Sequence, residues 1–457
     1  MGKKYDYDYI IIGSGPAGTT AALTLATTHA RIAIVEDSAF GGAHLNSRDI
    51  PYGVSLDFSH TFAKLSKHPG LVGQDISFDL STVVTHQERI SAETGGDNRN
   101  IFKDAGITTI DGFAHFLDPH TIAVGDRKYT AEIFILAAGA HLKADEVSGL
   151  ETANYLTPST AIKLRRLPKF VLVVGAGSTG CEIAEYFAEL GTKVLLMERA
   201  SRILPREDEE VSVVMTKYFT NELGMMISTN SRVVAIEQDG PVRKVIFSTD
   251  GQSKMIRTDC IVLATGSEPN TDYGLENAGV KYKKNGIPTN HLFQTTARNI
   301  YAIGDILGHE SSTELSKYEG SLLANNLINR TRIIPNYSGF IRVVNTYPEI
   351  ACVGYNEYDL MRRDQKYSKA IASFNELPAS KIEGLNFGFV KIIAHPKTGQ
   401  IIGATVVAPD AALIIQELAV AVRNQLTAAN IADTPHIDNS FNAIVRLCAS
   451  KLVVKRR

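Results

Sequence analysis

Two glycine-rich motifs carry the residues whose types and spacing most clearly indicate a chemistry. Both have the form Gly-x-Gly-x-x-Gly, and in each copy a glutamate follows the first glycine by 23 residues. The glycines permit a tight turn and close approach to a pyrophosphate, and the carboxylate accepts hydrogen bonds from ribose hydroxyls. The doubled pattern therefore predicts two dinucleotide-binding sites. The residues assigned to them are Gly13, Gly15, Pro16, Ala17, Gly18 and Glu36, and Gly175, Gly177, Ser178, Gly180 and Glu198.

Each motif must lie between a buried strand and a helix, and the sequence supplies both. An apolar segment enters each first glycine, and a helical pattern followed by a second apolar segment comes after each third glycine. We expect the helices at residues 19–28 and 181–190 and the following strands at residues 31–35 and 193–197.

Two later apolar segments, 132–139 and 259–266, are typical of strands that return beside their own nucleotide. Ala138, Gly139 and Gly266 stand at their ends and are further candidate binding residues. The second unit is therefore nested inside the first. From about Ile341 the pattern changes to strands at 387–394 and 401–407 and a helix at 411–424, which predicts a separate C-terminal domain.

The composition argues against several other classes of function. A chain of 457 residues has room for about three domains. Hydrophobic residues make up 44% and charged residues 21%, as in ordinary globular proteins. A formal net charge of −2 does not suggest a nucleic-acid or acidic-membrane partner. No apolar run is long enough to span a bilayer.

The cysteines and the first residues favour a cytoplasmic location. The four cysteines are scattered through apolar segments, without the spacing of a disulfide framework or a metal site. The opening M-G-K-K-Y-D lacks the apolar core of a signal peptide. We expect buried, inert thiols in a reducing compartment. These cysteines are Cys181, Cys260, Cys352 and Cys448.

Five segments together resemble the class I pyridine nucleotide–disulfide oxidoreductases, and dihydrolipoamide dehydrogenase in particular. They are G-S-G-P-A-G from Gly13, A-T-G-S-E-P-N-T from Ala264, N-I-Y-A-I-G-D from Asn299, T-Y-P-E-I-A-C-V-G from Thr346 and G-A-T-V-V-A-P-D-A from Gly403. The resemblance covers nearly the whole chain.

The resemblance implies an α/β fold with two nested Rossmann-type domains and an α+β dimerisation domain. The implied cofactors are FAD and NAD(H), and the implied assembly is a homodimer. In that family Glu36 binds the FAD ribose, Asp305 binds the ribityl chain and Glu182 lies near flavin and nicotinamide; Gly42 and Gly304 fall in the matching FAD segments. The expected domains are 1–148 for FAD, 149–270 for NAD(P), 271–335 completing the FAD domain and 336–457 for dimerisation.

The chain departs from this family at its redox centre. His44 and Asp49 stand where the family has its two redox cysteines, and Gly53 replaces the lysine that pairs with the glutamate near the flavin. At the other end, Asp438 stands at the position of the catalytic histidine and Ala443 at that of its glutamate. A two-residue slip would place His436 there instead. Because a thiolate is needed to attack a disulfide, we expect the family's dithiol chemistry to be excluded.

The second motif favours NAD over NADP, with NADP not excluded. Glu198 would accept hydrogen bonds from free ribose hydroxyls and repel a 2′-phosphate. Arg199 stands where NADP-using relatives often carry an arginine, but a solvated surface charge is the simpler interpretation. Ser178 replaces an aromatic residue that usually covers the flavin.

Three functions remain open for the altered pocket, in which His44, Asp49 and Tyr52 would face His436 and Asp438 of a second subunit. In the first, NADH electrons pass through flavin directly to a small acceptor such as a quinone, His44 donates a proton and Asp49 orients it. In the second, the histidines and aspartates form a metal site at the dimer interface. In the third, the chain is a flavin-bearing scaffold without turnover.

Overall fold

The computed structural model describes residues 4–66, 77–95, 98–143, 147–309, 312–382, 384–385 and 387–454. Its first part is a sheet of mixed direction, built around a central parallel core in the order β3-β2-β1-β6. The strands are β1 (Tyr7–Ile12), β2 (Ile32–Glu36), β3 (Thr108–Asp111), β4 (Ala114–Asp118), β5 (Thr121–Val124) and β6 (Arg127–Leu136). β4 and β5 continue the sheet in antiparallel fashion beyond β6.

Five helices of the described ranges lie among these strands, and the first begins in the first glycine motif. They are α1 (Pro16–Leu25), α2 (Gly42–Asn46), α3 (Asp49–Ser66), α4 (Leu80–Gly95) and α5 (Asn98–Asp104). α1 begins three residues earlier than predicted because Gly15 is its N-cap and Pro16 occupies its first position, where a missing N–H costs nothing. It ends at Leu25, three residues before the predicted end.

The second motif lies in a smaller unit with a four-stranded parallel sheet in the order β10-β9-β8-β14 and an antiparallel three-stranded sheet beside it. Its elements are β7 (Ala140–Leu142), α6 (Pro158–Ala161), β8 (Phe170–Val174), α7 (Ser178–Glu189), β9 (Lys193–Met197), α8 (Glu209–Asn221), β10 (Met226–Ser228), β11 (Ser231–Asp239), β12 (Val242–Thr249), β13 (Gln252–Thr258) and β14 (Cys260–Leu263). β9 coincides with the predicted strand. α7 packs Ile183 and Phe187 into the same buried cluster as Val171 of β8.

The chain then returns to the first sheet. β15 (Ser267–Pro269) pairs with β7, and β16 (Ile300–Ala302) pairs in parallel with β6, so the second unit is inserted into the first as predicted. A short 3₁₀ turn (Gly304–Leu307) follows β16, and α9 (Thr313–Asn329) packs against α1. Gly320 permits this packing, since a Cβ there would lie 2.4 Å from the carbonyl oxygen of Ala17.

The last part is an antiparallel sheet in the order β17-β18-β21-β20-β19, covered by helices. Its elements are β17 (Ile341–Val344), β18 (Glu349–Gly354), α10 (Glu357–Arg362), β19 (Ser368–Ser373), α11 (Pro378–Ile382), β20 (Phe389–Ala394), β21 (Ile401–Ala408), α12 (Ala411–Arg423), α13 (Ala428–Asp433) and α14 (Ala443–Val454). Ile414, Ile415 and Leu418 of α12 are buried in one cluster with strands of this sheet.

The α/β class and the nesting of the two units are confirmed, and the exact domain bounds stay a prediction. Among the helices of the described ranges, none has the length and apolar character needed to cross a bilayer. The strands predicted within 132–139 and 259–266 end at Leu136 and Leu263, directly before the small residues of each segment. Ala138, Gly139 and Gly266 therefore lie in the loops after these strands, where ligands of α/β sheets bind.

Candidate active site

The first glycine motif is a turn that is closed on two sides and open on one. Gly13 has φ +100°, and a Cβ there would lie 2.4 Å from the carbonyl oxygen of Ala137. A Cβ on Gly18 would lie 2.0 Å from the carbonyl oxygen of Gly13. At Gly15 it would meet no atom within 4 Å. The motif thus packs its outer glycines against backbone and leaves its middle glycine for the approach of a ligand.

A single cleft runs from this turn to the start of α9 and collects most of the residues predicted for the first site. It is lined by the predicted Gly13, Gly15, Pro16, Ala17, Glu36, Gly42, His44, Asp49, Ala138, Gly139, Gly304 and Asp305. It is also lined by Ser312, Thr313 and Ser316 at the N-terminal end of α9, which were not predicted. Two helix N-termini therefore face one cleft, and each favours negative charge there.

Glu36 is buried at the side of this cleft and holds four hydrogen bonds. Its Oε2 accepts from the backbone N–H and the hydroxyl of Ser14 at 2.9 and 2.7 Å. Its Oε1 accepts from the backbone N–H and the hydroxyl of Ser38 at 3.1 and 2.8 Å. A carboxylate has about four lone-pair sites. A ribose hydroxyl can therefore bind Glu36 only if a serine hydroxyl turns away, and the ribose role of Glu36 stays a prediction.

The second motif repeats the backbone of the first with different side chains around its glutamate. Cβ atoms on Gly175 and Gly180 would lie 2.4 and 1.9 Å from backbone oxygens, and one on Gly177 would meet nothing within 4 Å. Glu198 accepts from the backbone N–H groups of Ala176 at 2.7 Å and Ala200 at 2.8 Å. Each carboxylate oxygen keeps acceptor capacity for a ribose hydroxyl.

Two further residues of the second unit lie on its surface. Arg199 is exposed, and Ser178 is the exposed first residue of α7. These positions fit the expectation of a solvated Arg199 and a small side chain at the start of α7.

The two residues predicted to stand at the redox-cysteine positions form a small polar network in the first cleft. Nδ1 of His44 lies 2.7 Å from Oδ2 of Asp49, and the Thr313 hydroxyl lies 3.0 Å from the same nitrogen. Thr313 also donates a hydrogen bond to Oδ2 of Asp49. Burial acts to raise the pKa of Asp49, but the hydrogen bonds from His44 and Thr313 outweigh it and hold that pKa below its ordinary value.

These hydrogen bonds determine which nitrogen of the His44 imidazole carries the proton. An ionised Asp49 only accepts, so Nδ1 of His44 carries the proton of the neutral imidazole. Nε2 is then the ring nitrogen that can exchange a proton with a bound molecule. Sequence spacing could not reveal Thr313, because it lies on α9, far along the chain from His44.

Glu182 lies buried on α7 and has exchanged its expected lysine partner for an asparagine. Its Oε1 accepts from the backbone N–H of Asn345 at 2.8 Å and from the Asn345 side-chain amide at 3.0 Å. Burial raises the pKa of Glu182 to about 7, although the hydrogen bonds from Asn345 act in the opposite direction. A Cβ on Gly53 would meet no atom within 4 Å. Glu182 can therefore hold or release a proton near neutral pH.

His436 and Asp438 lie between α13 and α14 and do not line this cleft. Nδ1 of His436 lies 2.9 Å from the carbonyl oxygen of Thr434, and Nε2 lies 3.0 Å from Oε1 of Glu417. Asp438 is exposed. Glu417, which no sequence pattern indicated, supplies His436 with a carboxylate from the same chain. Their predicted place opposite His44 in a dimer stays a prediction.

The turn after β16 is fixed by a buried carboxylate. Oε2 of Glu319, on α9, accepts from the backbone N–H of Gly304 at 2.7 Å. Nη1 of Arg48 lies 3.5 Å from Oδ2 of Asp305. Glu319 thereby holds Asp305 at the edge of the cleft, in the place predicted for ribityl hydroxyls.

The four cysteines are buried, free and absent from the lining of this cleft. Burial raises the pKa of each thiol. The prediction of buried cysteines is confirmed.

The first cleft suits FAD by its donors and by its open backbone. The N-terminus of α1 and the open face of Gly15 fit a pyrophosphate, and Asp305 supplies an acceptor for hydroxyl groups.

The third glycine of each motif, Gly18 or Gly180, has a packing role: each holds its helix against the preceding turn and does not face the space for a ligand.

Comparison with known proteins identifies the family. Residues 7–323 match the family described as pyridine nucleotide-disulphide oxidoreductase, and residues 340–447 match its dimerisation domain. A mercuric reductase of Bacillus cereus is 30% identical over 437 residues, which are 94% of this chain and 69% of that protein. A dihydrolipoyl dehydrogenase of Geobacillus stearothermophilus is 30% identical over 446 residues, covering 95% and 94% of the two chains.

Solved structures show the same architecture. LpdA from Mycobacterium tuberculosis superposes with a TM-score of 0.87 at 25% identity, over 97% of this chain and 99% of LpdA. The flavoprotein disulfide reductase RclA from Escherichia coli has the same TM-score of 0.87 at 23% identity, over 97% and 99% of the two chains. The dimerisation match agrees with the predicted homodimer. Members of this family bind FAD and NAD(H), as predicted. The chain belongs to the pyridine nucleotide–disulphide oxidoreductase family.

Proposed function

We propose that this protein is an NADH-dependent flavin oxidoreductase that reduces a small acceptor, such as a quinone, without dithiol chemistry. The observation that carries the proposal is the network of His44, Asp49 and Thr313 in the cleft, at the positions where the family has its cysteine pair. A proton donor thus replaces a thiol relay.

The residues around the first cleft would hold FAD. The turn at Gly15 and the start of α1 would bind its pyrophosphate, and Asp305 would bind its hydroxyl chain. FAD, when bound, supplies a two-electron relay between nicotinamide and acceptor. The protein supplies the position of both partners and the proton.

The second unit would select NADH. Glu198 keeps acceptor capacity for the free 2′-hydroxyl of NADH, and its charge would repel a 2′-phosphate. Glu182, on the same helix as Ser178, would hold a proton close to the nicotinamide. Exposed Arg199 would leave the preference for NADH unchanged.

His44 would deliver a proton to the acceptor. Two electrons from NADH and two protons convert a quinone into a hydroquinone, so a proton donor beside the acceptor is required. Asp49 and Thr313 fix the Nδ1 side of the ring, so Nε2 is the nitrogen that takes up a proton from solvent and passes it to the acceptor. General acid catalysis of this kind contributes typically about 10²–10⁴-fold to a rate.

The identity of the cysteines supports the absence of a dithiol step. A reducing thiolate needs an accessible sulfur with a lowered pKa. All four thiols of this chain are buried and have raised pKa values. The same free thiols support a cytoplasmic location. The match to the dimerisation domain supports a homodimer. In that dimer, His436 and Asp438 of one subunit would reach the cleft of the other.

The test is steady-state oxidation of NADH with a small quinone by the FAD-loaded protein and by His44→Asn. We expect the variant to lose about 10²-fold or more of the quinone rate, while NADH still bleaches the flavin at the wild-type rate. His29→Asn, at an exposed histidine outside the cleft, is the matched control. Equal quinone rates in wild type and His44→Asn would overturn the role of His44. Failure of NADH to bleach the wild-type flavin would favour a scaffold without turnover.

A further inference from the structure

A second cluster of ionisable residues lies between α3 and α7, outside the cleft. His60 of α3 faces Glu185 and Glu189 of α7, and one potential ligand atom from each lies within 4.8 Å of the other two. Nε2 of His60 lies 3.7 Å from Oε2 of Glu185 and 3.7 Å from Oε2 of Glu189. The spacing of four places both glutamates on one face of the helix.

We propose that His60, Glu185 and Glu189 form a binding site for a divalent first-row transition ion such as Zn²⁺ or Mn²⁺. One imidazole and two carboxylates are a donor set that these ions accept. Zinc binds such nitrogen and oxygen atoms at about 2.0–2.2 Å, so the ligand atoms of a tetrahedral site lie roughly 3.4 Å apart. The two observed nitrogen–oxygen separations, 3.7 Å each, need to shorten by only a few tenths of an ångström.

The histidine gives an independent indication of a ligand. Its Nε2 is buried, yet no hydrogen-bond partner lies within reach among the residues that the structure describes. At 3.7 Å from each carboxylate it is too far for a hydrogen bond and close enough to share an ion with both. The His60 nitrogen and the two carboxylate oxygens therefore face one another without hydrogen bonds between them, which is the arrangement expected of a metal site without its ion.

Burial of the carboxylates strengthens the argument. The side chains of Glu185 and Glu189 are 0% and 1% exposed. Two buried carboxylates whose oxygens lie within 4.8 Å of each other favour a cation between them. Oε2 of Glu185 also accepts from the backbone N–H of Tyr347 at 2.9 Å, which fixes its orientation.

A second acidic cluster among the described residues shows a different arrangement. Asp208, Glu210 and Glu357 also have metal-ligand spacing, but Nζ of the fully buried Lys391 lies among them, at 2.9 Å from both Asp208 and Glu210. An ammonium group already supplies the positive charge there. That cluster is therefore a salt-bridge network, and the site between α3 and α7 is the candidate for a metal.

An ion at this site would tie together two helices that carry proposed catalytic residues. α3 begins with Asp49, and α7 carries Glu182 one turn before Glu185. The site therefore supports the active site without contacting substrate. This inference is independent of the acceptor chemistry proposed above.

The experiment is titration of the chelator-treated, FAD-loaded protein with Zn²⁺ and, separately, Mn²⁺ in a calorimeter, with metal content checked by mass spectrometry. We expect one ion per chain and a raised melting temperature in the loaded protein. His60→Gln should weaken binding by at least about a hundredfold. His29→Gln, at an exposed histidine, should bind as wild type does.

Two results would overturn the site: no uptake of either ion by the wild-type protein, or equal affinity in wild type and His60→Gln. Retained FAD absorbance shows whether His60→Gln is folded. Should it fail to fold, Glu189→Gln takes its place, with the same expected loss. X-ray absorption of the zinc-loaded protein identifies the atoms bound to the metal, independently of any effect of the variants on folding. We expect only nitrogen and oxygen ligands. Sulfur ligation would contradict the assignment.

Discussion

The two glycine motifs share a backbone, but the side chains around their glutamates differ. Glu36 receives two hydrogen bonds from backbone and two from the hydroxyls of Ser14 and Ser38. Glu198 receives only backbone hydrogen bonds, because Ala176 and Ala200 stand at the matching positions. The same turn therefore offers a saturated carboxylate in the first unit and an acceptor with free lone pairs in the second.

The glycines therefore determine where a nucleotide can lie. The serines or alanines around each glutamate determine how readily the nucleotide exchanges. A ligand of the first unit must displace a serine hydroxyl, which suits a cofactor bound once and kept. A ligand of the second unit meets free lone pairs on the Glu198 carboxylate, which suits a substrate that binds and dissociates in each turnover.

The third glycine of each motif should separate the two sites most strongly. Gly18→Ala brings a Cβ to 2.0 Å from Gly13, and Gly180→Ala brings one to 1.9 Å from Gly175. Overpacking of this kind costs about 3 kcal/mol, which is about a hundredfold in affinity. We expect Gly18→Ala to lose FAD, and Gly180→Ala to keep FAD but bind NADH at least a hundredfold more weakly.

Flavin absorbance per chain and NADH titration measure these two effects. Gly53→Ala is the matched control, since its added Cβ meets no atom within 4 Å and Gly53 does not line the cleft. If Gly180→Ala released FAD as well, the two units would not be separable as argued.

Glu182 should give the second unit a pH dependence. Its pKa in the folded protein, about 7, lies above the unfolded value, so the folded state binds the proton more tightly. Stability is then greatest below the unfolded pKa and falls by roughly 3 kcal/mol as the pH rises to about 7. Glu182→Gln should remove this part of the slope.

Thermal unfolding of both proteins between pH 4.5 and 8 measures the effect. Gly53→Lys is the opposing variant, because there is room for a Cβ and the new ammonium should lower the pKa of Glu182. The same slope in wild type and Glu182→Gln would contradict the assignment.

Glu198 should set the choice of nicotinamide nucleotide. Removing its charge with Glu198→Gln lowers the NADH-to-NADPH affinity ratio by about tenfold, since a charged hydrogen bond to ribose and a repulsion of phosphate are both lost. Using the ratio cancels any loss of stability common to both nucleotides. Arg199→Gln should leave NADH binding unchanged, and a large fall in NADPH binding in that variant would show that Arg199 contacts a phosphate.

Ser38 should show the smallest effect. Ser38→Ala removes one of four hydrogen bonds to Glu36, which costs the free protein about 1 kcal/mol or less. It also frees an acceptor site for ribose, so FAD should bind the apoprotein a few-fold more tightly. Fluorescence titration of FAD measures this, with Ser47→Ala, which lies outside the network, as control. Weaker FAD binding would mean that Ser38 orients Glu36 rather than competing for it.

The sequence was sufficient for those features that depend on short spacing. Strand β9, the positions of both glycine turns and the burial of the cysteines follow from local pattern and apolar character. The helix predicted at 19–28 differs from α1 by three residues at each end, because the cap at Gly15 and the proline after it start the helix earlier than its apolar pattern indicates.

The partners of the candidate catalytic residues could not be predicted. Thr313 reaches His44, and Asn345 reaches Glu182, across more than 160 residues of sequence. Only the return of the chain to the first sheet and the packing of β17 near α7 bring these groups together. Glu417, the partner of His436, depends in the same way on how α12 packs.

An anaerobic titration of the FAD-loaded protein with NADH, monitored by flavin absorbance, tests most directly whether electrons pass through FAD without a disulfide. NADH carries two electrons, and a protein whose only redox group is FAD accepts two. The account predicts complete bleaching of the flavin band by a single equivalent of NADH, with no long-wavelength band from a thiolate beside the flavin. Uptake of a second equivalent, through an intermediate with such a band, would contradict it by revealing a disulfide in the relay.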